Sequence, residues 1–186
     1  MKKHLVVVIV AGATLAPVAA IAGDSYVGAS VGRAETRLDV QFPSLAKDSD
    51  TGYKLYGGYR YTEILGIEGG VANLGESVIA RSGIQYTVKP WSYYLAGRAV
   101  LPLNEQFELF GKVGVVRTHP RFGGVGGYLM KDTGNETSRL LGIGASFMIN
   151  KQAAAVFEYE DYGRLIKEGG GSLKGKMLSA GIRYTF

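Results

Sequence analysis

Met177-Leu178-Ser179-Ala180-Gly181-Ile182-Arg183-Tyr184-Thr185-Phe186 is the stretch that decides the fold. Leu178, Ala180, Ile182, Tyr184 and Phe186 fall on one parity, and Met177, Ser179, Gly181, Arg183 and Thr185 on the other. A period of two is the mark of a β-strand with two different faces. One face is continuously apolar and ends in aromatics. The other mixes a charge with small residues.

The same division recurs upstream. Phe107, Leu109, Gly111, Val113 and Val115 oppose Glu108, Phe110, Lys112 and Gly114. Leu141, Ile143, Ala145, Phe147 and Ile149 oppose Gly142, Gly144, Ser146 and Met148. Tyr53, Leu55, Gly57, Tyr59 and Tyr61 oppose Lys54, Tyr56, Gly58 and Arg60, and Tyr93, Leu95, Gly97, Ala99 and Leu101 oppose Tyr94, Ala96, Arg98 and Val100. Eight strands are predicted, over 25–35, 51–61, 65–75, 85–101, 105–117, 138–149, 153–162 and 175–186. Short links at 62–64, 102–104 and 150–152 alternate with long links at 36–50, 76–84, 118–137 and 163–174. That rhythm describes an antiparallel up-and-down meander with one smooth rim and one looped rim. The 118–137 link has apolar residues enough (Phe122, Tyr128, Leu129, Met130) to hold an extra hairpin.

Sidedness selects the solvent. A soluble barrel keeps its large apolar residues within and its charges without. Here charges sit beside Gly, Ser and Ala, which suits the narrow interior of eight strands. The opposite face suits hydrocarbon, and closure satisfies every ladder hydrogen bond where lipid cannot. Tyr59, Tyr61, Phe107, Phe147, Tyr184 and Phe186 are expected near the smooth rim, and Tyr53, Trp91, Tyr93, Tyr159 and Tyr162 near the other. Two aromatic girdles around an apolar band mark an outer-membrane barrel. A crossing strand needs about 9–11 residues, so eight leave room for loops and ten would not. The predicted fold class is therefore all-β, an eight-stranded antiparallel up-and-down transmembrane β-barrel.

Composition agrees. The chain has 186 residues, 46% hydrophobic, with 28 Gly and 12 Tyr. Gly is about twice its usual ~7% share, without the period of collagen. Cys is absent, which removes disulfide scaffolds, thiol nucleophiles and Cys-based zinc sites. No run of about 20 apolar residues offers a transmembrane helix. Residues 1–22, MKKHLVVVIVAGATLAPVAAIA, combine Lys2 and Lys3, an apolar run from Leu5 to Ala13, and Ala20-Ile21-Ala22 before Gly23. This reads as a signal peptide, with the barrel domain over 23–186. Its loss lowers the formal charge of +5 by two and removes His4. No Lys/Arg run supports nucleic-acid binding.

The chain resembles the OmpA-like family of small outer-membrane β-barrels. Tyr26-Val27-Gly28-Ala29-Ser30-Val31-Gly32 resembles that family's first strand. Thr51 to Tyr59 (TGYKLYGGY), followed by Gly66-Ile67-Glu68-Gly69-Gly70, resembles its second and third. Ile182-Arg183-Tyr184-Thr185-Phe186 resembles the outer-membrane signature of a terminal Phe preceded by alternating apolar residues. The resemblance implies export to the cell outer membrane and insertion by barrel-assembly machinery that reads Tyr184 and Phe186. Larger members append a peptidoglycan-binding domain, and this chain stops at the barrel, so that function is not carried over.

The inward set is Lys54, Arg60, Glu68, Arg98, Glu108, Lys112, Glu158, Glu160 and Arg183. Glu158 and Glu160 share a face, and paired carboxylates can serve acid–base catalysis. Five basic residues among four acids point instead to a plug of ion pairs, because unpaired buried charge costs roughly 3–5 kcal/mol. The resemblance implies the same, since family members fill their lumen with a charged, hydrogen-bonded network.

His119 is the lone His of 23–186, and metal ligands come in sets. The His-x-Ser-Asn pattern that the lipid A deacylase barrels resemble is missing, since Pro120 and Arg121 follow His119, and no palmitoyl-transfer His–Asp–Ser set assembles. No catalytic, metal or cofactor site is predicted, and the chain is read as non-enzymatic. Arg117, Arg121, Lys131 and Arg139, offset partly by Asp132 and Glu136, make the longest loop region basic, a solvated face or an attraction for lipopolysaccharide phosphates or an acidic host surface. Gly123-Gly124-Val125-Gly126-Gly127 and Gly169-Gly170-Gly171 lack the following Lys-Ser/Thr of a phosphate cradle and read as loop tips.

The leading expectation is a monomeric structural barrel that displays four extracellular loops, with outer-membrane lipid and lipopolysaccharide around it. The alternatives are a small porin-like pore, a host-surface adhesin or serum-resistance protein, and a lipid A-modifying enzyme.

Overall fold

The computed structural model describes residues 25–39, 47–75, 77–81, 84–124, 136–168 and 171–186. They form nine antiparallel strands: β1 (Ser25–Asp39), β2 (Lys47–Arg60), β3 (Leu65–Asn73), β4 (Ser77–Arg81), β5 (Ile84–Pro102), β6 (Phe107–Gly124), β7 (Glu136–Met148), β8 (Ala153–Glu168) and β9 (Gly171–Thr185). Each pairs with its neighbour in chain order except at β3, which pairs with β5 and not with β4, and β1 pairs with β9. The barrel therefore closes with eight strands, and β4 stands outside the ring.

β4 is a correction to the predicted 76–84 link. It pairs with the first residues of β5, from Ser77↔Val88 to Arg81↔Ile84, while β3 takes β5 from Trp91 to Ala99. The β-branched residues Val78, Ile79, Ile84, Thr87 and Val88 favour extended chain. The other long links are also shorter than expected. β5 runs 19 residues and β6 18, well past the 9–11 or so that cross a membrane. Hairpin pairing satisfies their backbone groups without help from lipid or loop. Residues 118–124 belong to β6, paired with β5. The extra hairpin considered for 118–137 otherwise falls on residues outside the described set, as does the 1–22 segment.

Three tight turns form the smooth rim. In two of them an Asn caps the chain: Asn104 Oδ1 accepts from the Gln106 and Phe107 amides at 2.9 and 2.8 Å, and Asn150 Oδ1 accepts from those of Gln152 and Ala153 at 2.9 and 2.8 Å. Thr62 Oγ1 serves the third, accepting from the Leu65 amide at 3.0 Å. The chain ends meet at this rim, where the Phe186 amide donates to the Ser25 carbonyl at 3.0 Å.

The alternation maps onto the wall as read. Val113, Ile143, Phe157, Leu178 and Ile182 are exposed on the outside. Lys112, Glu160, Met177 and Arg183 are buried within. At the turn rim, Tyr59–Tyr61, Phe107–Phe147 and Tyr184–Phe186 form ring pairs. One girdle residue is misplaced in the sequence reading. Tyr162 shares the parity of Glu158 and Glu160, is fully buried, and donates its hydroxyl to Glu160 Oε2 at 3.0 Å. It lines the interior, not the lipid face.

Candidate functional site in the lumen

The interior is built in layers along the strands. Nearest the turn rim, Glu108 of β6 is met by Arg183 of β9 at 2.7 Å and Arg98 of β5 at 3.1 Å. Arg60 of β2 stands 3.9 Å from the same carboxylate. The Arg98 guanidinium lies 4.1 Å from the Phe110 ring centroid and 5.6 Å from that of Tyr26. Stacking on aromatic faces suits a planar, weakly hydrated cation.

The next layer holds three carboxylates and two ammonium groups. Lys112 Nζ lies 2.8 Å from Glu68 and 2.7 Å from Glu160, and it pairs also with Glu158. Lys54 Nζ lies 2.8 Å from Glu160 and pairs with Glu158. Tyr94 and Tyr26 donate their hydroxyls to the two oxygens of Glu68, at 2.8 and 3.1 Å. Every member of this layer is buried. Low local dielectric strengthens such a network and makes any unpaired member expensive.

All nine residues of the predicted inward set therefore face the lumen, but as two groups. Arg60, Arg98 and Arg183 surround one Glu, while Lys54 and Lys112 are shared by three. The surplus cation is Arg60, whose side chain keeps 26% of its exposure at the rim. Water solvates the charge that the carboxylates do not.

Above the ions, toward the loops, lies a layer that parity displayed and the sequence reading passed over. Ala34, Ala72, Leu74, Val116, Leu140, Leu165 and Met177 cluster with Tyr162 in the interior, all buried. Tyr26, Tyr56, Tyr94 and Phe110 were also assigned no role. Their rings need glycines opposite them. A Cβ on Gly58 would lie 2.3 Å from the Tyr26 ring, and one on Gly28 2.3 Å from that of Tyr56. The signal was available as Tyr and Gly on the same parity in paired strands.

His119 sits on β6 with its ring edge-on to Tyr93, centroids 5.6 Å apart. Among the described residues, no group of three or more His, Asp or Glu is arranged to hold a metal ion. Arg117 and Arg139 are exposed. The side chains of Arg121 and Lys131 fall outside the described set.

A family model for the outer membrane protein β-barrel domain matches residues 5–186 of the chain. The chain belongs to that family. Its location is the outer membrane, with the exposed Leu, Ile, Val and Phe band in lipid. The fold is shared with Ail, the attachment invasion locus protein of Yersinia pestis, in complex with the heparin analogue sucrose octasulfate. That likeness has 20% identity over 87% of this chain and 100% of the other, with a TM-score of 0.56. Neisserial surface protein A is similar at 18% identity over 87% and 97%, TM-score 0.58. Outer membrane protein AlkL in lipid bilayers is similar at 13% identity over 88% and 90%, TM-score 0.53. No curated protein matches the chain.

Proposed function

We propose that this outer-membrane barrel is a sealed, non-conducting support that displays its loops at the cell surface. The observation that carries the reading is the stacking of two different closures in one lumen. An ion crossing it must displace the shared ammonium–carboxylate layer and then an apolar layer with nothing to solvate it. Bacterial barrels of this kind carry short periplasmic turns and longer extracellular loops, which places the loop rim outward. Residues 1–22 act as the export signal, residues 23–186 as the working domain, and Tyr184 and Phe186 as the mark for assembly machinery. The barrel acts as a monomer.

Planar-bilayer recording tests the sealing. The wild type is expected to give no discrete conductance steps, and the double variant Lys112→Ala, Leu140→Gly to give them. Reproducible steps from the wild type overturn the proposal in favour of the porin-like pore.

A second reading, contact with host surfaces through the loop rim, is favoured by the cations exposed there: Arg33, Arg37, Arg117 and Arg139. The similar Ail structure holds a polyanion. Cells with shortened loops and an intact barrel are then expected to lose attachment to host surfaces.

A further inference from the structure

The ladder between β7 and β8 stops short of the loop rim. β7 and β8 pair from Met148↔Ala154 up to Leu141↔Asp161 and no further. Beyond that level β7 is held by β6, and β8 by β9. The β8–β9 ladder slips twice here, between Asp161 and Gly163 and between Arg164 and Ile166. Gly163 has φ of 63°, and a Cβ there would lie 2.3 Å from Ser138 Oγ. A bulge of this kind re-aims the strand. A hydrogen bond crosses the opening, from the Arg164 amide to Ser138 Oγ at 2.9 Å.

A pocket of about 940 Å³ is lined from both sides of this seam. Its cations are Arg37, Arg139, Arg164, Lys174 and Lys176, all exposed. Two carboxylates accompany them: Glu35, and Asp161, which stands 3.7 Å from Lys176. The pocket also has an apolar wall in Val115. On the outer face Arg139 is two positions beyond Leu141, Lys176 two beyond Leu178, and Asp161 two beyond Tyr159. Two residues of strand span about 7 Å, so the cations stand at the first polar level above hydrocarbon, where lipid head groups lie.

We propose that the β7–β8 seam is a binding site for the phosphorylated sugar head group of an outer-leaflet glycolipid. Five cations offset the phosphate charges, and Val115, Leu141 and Leu178 receive the first part of the acyl chains. This apolar floor has no use for a soluble polyanion, which favours lipid over a sulfated glycan. The site rests on the outward orientation of the loop rim and not on the sealed lumen.

The test is native mass spectrometry of the protein purified from outer membranes in mild detergent, with diphosphoryl lipid A as the probe. The wild type is expected to retain it. Removing two cations in the variant Arg139→Ala, Arg164→Ala is expected to weaken retention about thirty-fold, a factor of about five per cation. The charge-matched variant Arg33→Ala, Arg117→Ala, outside the pocket, is expected to change it less than about two-fold. Lys174→Ala, Lys176→Ala serves as a second pocket variant, and heat-modifiable migration verifies folding in each. Equal losses in pocket and control variants, or no retention by the wild type, overturn the proposal. Displacement by millimolar inorganic phosphate assigns the site to free phosphate, and displacement by sucrose octasulfate to a sulfated glycan; either overturns it. These readings use purified protein, so they stand apart from orientation, which labelling of Lys174 on intact cells reads separately.

Discussion

Lys54 of β2 reaches Glu160 of β8 across the lumen at 2.8 Å, with β1 and β9 between them along the wall. The bond ties together strands that share no ladder. It is one of several braces across the lumen, with Lys112–Glu68 and Arg183–Glu108, in a wall otherwise held by neighbour-to-neighbour pairing. Glu160 also serves Lys112 and Tyr162, so its loss takes one close carboxylate partner from each of two buried ammonium groups. Glu160→Ala is expected to destabilise the folded barrel by about 3–5 kcal/mol. Urea unfolding in lipid vesicles measures it. A change below about 1 kcal/mol would mean that the network rearranges freely.

The lipid face gives a depth-dependent expectation. Ile143 is 67% exposed on the outer wall in the middle of β7. Ile143→Arg is expected to cost about 2–4 kcal/mol, and Leu101→Arg, next to the turn rim, about 0–1 kcal/mol. The comparison of the two in the same vesicles carries the information. Equal costs would contradict the membrane span assigned to β7.

Adjacent glycines on β2 make a paired test of interior packing. A Cβ at Gly58 meets the Tyr26 ring at 2.3 Å and the Ile67 carbonyl oxygen at 2.6 Å, whereas at Gly57 the nearest atom is 3.5 Å away. Gly58→Ala is therefore expected to destabilise by about 1–3 kcal/mol through overpacking. Gly57→Ala on the outer face is expected to be close to neutral. Tyr26→Ala combined with Gly58→Ala should recover part of the loss if the ring is what the new methyl strikes.

At the other end of the molecule, Phe186 packs edge-on to Tyr184, and its amide closes on Ser25. Deleting Phe186 is expected to lower the folded fraction in the outer membrane sharply while leaving export across the inner membrane unchanged. Heat-modifiable gel migration of membrane fractions measures the first, and total periplasmic plus membrane protein the second. Equal membrane levels for the truncated chain would remove the assembly role of this residue.

Much of this was legible in residues 177–186 and their upstream echoes, for a local reason. A strand has a period of two whatever surrounds it, so parity alone divided Leu109, Val113 and Ile143 from Lys112 and Arg183. The inward charges followed, because one face had to be filled and the other had to meet lipid. Parity also held Tyr162 beside Glu160, and reading it as a girdle residue broke that rule. Other features were not local. Which carboxylate meets which ammonium depends on strand tilt and closure, which bring Lys54 to Glu160 from 106 positions away. β4 formed because β5 outlasts its partner β3 and offers a free edge, a fact about relative strand lengths. The seam between β7 and β8 exists because pairing stops at Asp161 and Gly163 turns the strand aside. Alternation is written one residue at a time, and so the chain alone determined which face meets lipid. Contacts across a cylinder depend on all eight strands at once, and so only the closed barrel decided the network, the apolar layer and the cationic pocket.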